Sequence, residues 1–153
     1  SLVVFFLPDP VAALRRYRAL LRAGGRLGLT TFPPQPEGTW AAIGRRLESY
    51  LPMSASRPDQ GPLAGPEQLA ATLRQVGFAD VTTATEASDT IFRDREQWWS
   101  WAWSHGQRAA FERVPPGELD AFKAELFGML APDLRDDGSV ALRQYVTYTV
   151  ASV

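Results

Sequence analysis

The sequence has no cysteine, a single histidine and a single lysine, and each scarcity closes off some chemistry. Without cysteine there is no disulfide, no thiolate metal ligand and no thiol nucleophile. One histidine, His105, cannot build a histidine-rich metal site, and no acidic run has the spacing of a calcium loop, so no metal is expected. Lys123 is the one lysine among 16 basic residues, a bias of the kind a GC-rich bacterial genome produces. The net charge of −1 and the lack of any basic run argue against a nucleic-acid partner. Long apolar runs are missing too. The opening stretch is far short of the roughly 20 residues that cross a bilayer, and it has neither a basic lead-in nor a cleavage site. No membrane partner is expected, and a cytoplasmic location is the default.

What remains is an ordinary globular composition, 45% hydrophobic and 22% charged over 153 residues, enough for one domain with a real core. Its beginning is unusual. "SLVVFFLPDP" places Leu2, Val3, Val4, Phe5 and Phe6 in an apolar run with no polar lead-in. Such a run implies either a buried strand or a neighbour that precedes it. Asp9 then reads as an N-cap, Pro10 as the first helical residue and Gly24-Gly25 as the stop. Val11, Leu14, Arg18 and Leu21 share one face of that helix, and "RLGLTTF" (26–32) reads as a strand. A helix–glycine–strand unit of this kind is half of a crossover connection, whose first strand would lie at or upstream of residue 1.

Residues 33–65 form a Pro/Gly-rich excursion with one helix at about 40–50, on which Trp40, Ile43 and Leu47 keep helical spacing. Gly65-Pro66-Glu67 opens another helix, with Leu69, Leu73 and Val76 in a stripe closed by Gly77, and a strand follows at 78–87, making a second helix–glycine–strand unit. Asp94 with Gln97 resembles a capping box before a helix bearing Trp98, Trp99, Trp101 and Trp103. "SHGQR" interrupts that helix. A further amphipathic helix spans 117–130, a turn lies at 135–139, and the best strand of the sequence, 140–151, alternates Val140, Leu142, Gln144, Val146, Tyr148 and Val150 on one face.

This order of elements resembles the C-terminal half of the class I S-adenosylmethionine-dependent methyltransferases. The carrying stretches are "LPDPVAALRRYRALLRAGGRLGLTTF" (7–32), with Ala23 where the family's turn usually has proline, and "PEQLAATLRQVGFADV" (66–81). The resemblance implies an α/β chain: the C-terminal half of a Rossmann-like fold, spanning 1–153. It would have a three-stranded mixed sheet, flanking helices and a Trp-rich helical insertion at 94–131 that acts as a lid. The last strand would sit between the other two, antiparallel to both. The family's Gly-rich loop and ribose-binding acid are not found, and Gly24-Gly25 cannot replace the loop, because they follow a helix rather than a strand. The expectation is therefore a fragment of an enzyme that transfers a methyl group from S-adenosylmethionine to a small-molecule substrate. The chain alone would be inactive and would not bind that cofactor appreciably.

On the same resemblance, Leu2 and Phe5 would touch the cofactor and Phe6 would touch the substrate. Thr31 and Phe32 end a strand of the kind at whose carboxyl end α/β sheets bind ligands, and count as substrate-binding candidates. So do Trp40, Trp98, Trp99, Trp103 and Arg108. Four tryptophans within six residues go right round a helix, so some are expected to be left for a pocket, a lid or an interface. His105, the one histidine, is the candidate catalytic base for a hydroxyl, against the plainer reading of a helix-end polar residue. The apolar start also suggests a homodimer formed through the N-terminal segment. Two other classes stay open: a non-catalytic module that binds a small ligand, and an interaction domain.

Overall fold

Asp9 and Pro10 begin the first helix as the sequence predicts. The computed structural model describes residues 2–51 and 61–153; Ser1 of the opening run and 52–60 of the excursion lie outside the described residues. Helix α1 is Pro10–Leu20, and Asp9 Oδ1 accepts the Ala12 amide at 2.8 Å, satisfying one of the donors a helix start leaves free. The chain divides into two compact units.

The first unit comprises Ser1–Pro34, Ser56–Ala87 and Tyr145–Val153. Its strands are β1 (Arg26–Thr31) and the adjoining parts of β2 (Ala79–Phe92) and β3 (Val140–Ser152), in the order β1-β3-β2. β1 pairs with β3 antiparallel, in register from Arg26 opposite Ser152 to Thr31 opposite Thr147. The sheet expected as mixed is antiparallel at both neighbouring pairs, because the last strand does lie between the other two and keeps the two like-directed strands apart. Leu14 of α1, Leu69 and Leu73 of α3 (Pro66–Gln75), Phe78, Val4 and Ala151 form its core. Arg18 lies along this face, and its Nε donates to the Gly77 carbonyl at 2.7 Å. Gly77 closes α3 in the left-handed region at φ 95°, which glycine adopts at little cost.

One alternative and one expectation change in this unit. The opening run forms no strand: Val4–Phe6 is a single 3-10 turn that buries Val4 and leaves Phe6 75% exposed. In the second half of β3, Thr147, Thr149 and Ala151 are buried while Tyr148 and Val150 are each 46% exposed, so the apolar alternation does not mark the buried face here. Small hydroxyl side chains can occupy this core by pairing, as Thr85 Oγ1 and Thr147 Oγ1 do at 2.8 Å.

The second unit comprises Gln35–Ala55 and Ser88–Gln144. Its helices are α2 (Thr39–Glu48), α4 (Arg95–Trp103), the short α5 (Arg108–Phe111) and α6 (Leu119–Met129). Asp94 caps α4, its Oδ1 accepting the Gln97 amide at 2.7 Å, and that bond is the main reason its carboxyl lies below the usual range. Gln97 reaches back one residue further than a standard capping box, to the Arg93 amide. Arg46 of α2 grips Glu125 of α6 through two bonds, Nε to Oε1 at 2.6 Å and Nη2 to Oε2 at 3.0 Å.

Candidate functional site

The predicted site residues fall into two groups, one in each unit. In the first unit the Leu2 amide donates to both Thr30 O (3.1 Å) and Thr30 Oγ1 (3.0 Å), which seats the opening residues beside β1. The 3-10 turn then sets Phe5 between Phe6 and Phe32, with ring centroids 4.6 and 6.0 Å apart. Thr31 is buried, and Phe32 is 40% exposed. Leu2, Phe5, Phe6 and Phe32 thus make an apolar aromatic surface at the carboxyl end of β1.

In the second unit the tryptophans do more packing than the helical wheel suggests. Trp98 is fully buried, and Trp40, Trp99, Trp101 and Trp103 all pack partly buried against the same core. Phe111 stacks on Trp99 at 4.7 Å and meets Trp103 edge-on at 5.2 Å, while Phe92 and Trp40 flank Trp101 at 5.1 and 5.7 Å. Four tryptophans can share one core because α2, α5, α6 and Phe92 surround α4 on several sides. Lys123 lies over the rings of Trp99 and Phe127, at 5.7 and 5.3 Å, and pairs with Glu96 at 2.7 Å.

His105 is exposed at the end of α4. Its Nδ1 lies 2.7 Å from the Trp101 carbonyl and 2.8 Å from Ser104 Oγ, and its ring lies 4.3 Å from that of Trp101. Arg108 forms an exposed ion pair with Glu112, one turn on, at 2.6 Å. Among the described residues no group of three or more His, Asp or Glu could hold a metal ion, and no helix is long and apolar enough to cross a membrane. Sequence reasoning passed over Trp101 and Ser104 as individual residues. The signal was there in the order Trp-x-x-Ser-His, which places a ring, a hydroxyl and an imidazole on one helix end.

Among solved structures, a Bacillus halodurans protein provisionally identified as a methyltransferase matches 99% of this chain and 61% of its own, with a TM-score of 0.52 and 14% identity. That likeness concerns the fold. In sequence, the chain is 32% identical over 139 residues, 82% of its length, to the nocamycin O-methyltransferase of Saccharothrix syringae. The chain belongs with the class I methyltransferases. No family model matches it, and it spans about half the length of the curated relative, 50% of which is covered.

S-adenosylmethionine, the donor that a methyltransferase implies, needs partners for its amino-acid and ribose ends. Three backbone amides of this methyltransferase chain that could be considered for those ends are already engaged. The amides of Gly24 and Gly25 are taken by Val153 O and Arg22 O, and the Leu2 amide is taken by Thr30. What Leu2 and Phe5 offer is an apolar face.

Proposed function

We propose that this chain is the acceptor-side half of an S-adenosylmethionine-dependent O-methyltransferase acting on a small hydroxylated molecule. The observation that carries the reading is the 32% identity, sustained over 82% of the chain, to an enzyme named for O-methylation. The donor supplies an electrophilic methyl group, and on this reading the rest of a longer protein binds its polar ends. Reaction then depends on holding the two reactants in line where water is excluded, so few obligatory catalytic groups are needed. In the first unit, the surface formed by Leu2 and Phe5 is the donor-side candidate, with Phe6, Thr31 and Phe32 as acceptor-side candidates. In the second unit, His105 is the candidate base, Nε2 being the nitrogen that would take a hydroxyl proton as the methyl group reaches that oxygen. There Trp40, Trp98, Trp99 and Trp103 pack about the helix that ends in His105, and Arg108 is held by Glu112.

The test has two arms. The chain by itself should show no micromolar binding of S-adenosylmethionine (about −8 kcal/mol) by calorimetry. A longer protein containing it should transfer labelled methyl groups to hydroxyl acceptors and not to amines. Tight binding by the chain alone overturns the division of labour, and amine-only transfer overturns the acceptor class. The N-terminal turn supports a second proposal, two-fold association of the chain, because it leaves Val3 and Phe6 54% and 75% exposed beside an outer strand of the sheet.

A further inference from the structure

The last turn of α4 holds an imidazole in a defined orientation. We propose that Trp101 is a positioning residue that fixes His105 as its Nδ1–H tautomer, so that Nε2 is the nitrogen left to accept a proton. This rests on the O-methyltransferase reading for what Nε2 does, and not for which nitrogen is protonated.

The assignment follows from what each atom can do. The Trp101 carbonyl, 2.7 Å from His105 Nδ1, can only accept, so Nδ1 must donate. The neighbouring hydroxyl agrees. Ser104 Oγ donates its one proton to the same carbonyl at 2.7 Å, so a lone pair is what it turns toward Nδ1 at 2.8 Å. That carbonyl is available because the final turn of a helix leaves its oxygens without the usual partners four residues on. The Ser104 amide, at 2.9 Å, is the third group directed at it. Neutral imidazole with hydrogen on Nδ1 keeps its lone pair on Nε2.

The ring of Trp101 completes the arrangement. It lies 4.3 Å from the imidazole, tilted by 41°, which limits rotation of the histidine away from the carbonyl. Trp101 is itself wedged between Trp40 at 5.7 Å and Phe92 at 5.1 Å, so the platform is anchored by two other elements. A free histidine side chain in water prefers its proton on Nε2. The arrangement here reverses that preference, and the reversal can be observed directly.

His105 is the one histidine of the chain, so a long-range 1H–15N correlation spectrum of the full chain at alkaline pH holds a single imidazole pattern. We expect a pyrrole-type Nδ1 and a pyridine-type Nε2. The opposite pattern, or the mixture given by free histidine, overturns the assignment. Trp101→Ala keeps the carbonyl and removes the wedge, and it should move the pattern toward the free mixture, with Trp101→Phe restoring it. An unchanged pattern in folded Trp101→Ala refutes the positioning role of the ring. His105→Asn separates this inference from the functional reading, since Asn can still donate to the Trp101 carbonyl but has no basic nitrogen. In an active methyltransferase containing the chain, a loss of roughly 10²-fold in rate supports His105 as the base. An unchanged rate together with the Nδ1–H pattern refutes the base and leaves the tautomer assignment standing.

Discussion

Breaking the Arg46–Glu125 pair should loosen the tryptophan unit by an amount that depends on pH in a defined direction. The two helices α2 and α6 are joined by parallel bonds of 2.6 and 3.0 Å, with the side chains 30% and 45% exposed. Exposed ion pairs contribute ~0.2–1 kcal/mol, and two-pronged, charge-assisted contacts lie at the upper end, so the coupling should be about 1 kcal/mol. The remaining Arg46 is not stranded in Glu125→Gln, since its guanidinium still reaches Ser49 Oγ (3.0 Å) and Tyr50 Oη (3.3 Å) and lies 5.0 Å from the Tyr50 and Phe122 rings. No large orphan penalty should therefore be added.

Arg46 holds the Glu125 carboxyl below its ordinary value of 4.5, mainly through the side-chain bonds and against the opposing effect of burial. A depressed folded pKa means stability that is fully present above the unfolded value and is lost as pH falls through the folded one. All five tryptophans lie in the second unit, so their fluorescence during urea unfolding follows that unit specifically. The assay is a double-mutant cycle of Arg46→Met and Glu125→Gln, read near neutrality and again well below pH 4.5. The reasoning fails if the coupling near neutrality is under about 0.3 kcal/mol, or if it is the same at both pH values.

Trp98→Ala empties a fully buried site and should cost about 3–5 kcal/mol in urea unfolding; Trp98→Phe should cost clearly less, because Trp98 Nε1 has no partner among the described residues. Gly77→Ala should destabilise by at least about 1 kcal/mol, since φ is 95° and the new Cβ would lie 2.8 Å from Arg18 Nε; a neutral melting temperature would contradict this. Asp9→Ala should remove about 1 kcal/mol by stripping the α1 cap, and Asp9→Asn should keep most of it; equal losses in both would show that the cap is not the cause. Sedimentation should find the chain dimeric at high micromolar concentration and Val3→Ser with Phe6→Ser monomeric; a monomeric parent chain would refute association through the turn.

The ends of the helices could be read from local chemistry alone. Asp9 with Pro10, Gly65 with Pro66, Asp94 with Gln97, and Gly77 each act within a few residues of chain, so their effect needs no tertiary partner. Strand order followed from the resemblance and the whole run of elements. The buried face of the second half of β3 did not follow, because apolar alternation cannot tell which side of a strand a neighbouring layer covers; Tyr148 and Val150 stay exposed while threonines go inside. The tryptophans make the same point. Their spacing determined that they encircle α4, but only the placement of α2, α5, α6 and Phe92 decided that all of them meet one core. For His105 the sequence determined a histidine at a helix end. Which nitrogen keeps its lone pair was decided by the fold, because that depends on where the Trp101 carbonyl points and on what wedges the Trp101 ring in place.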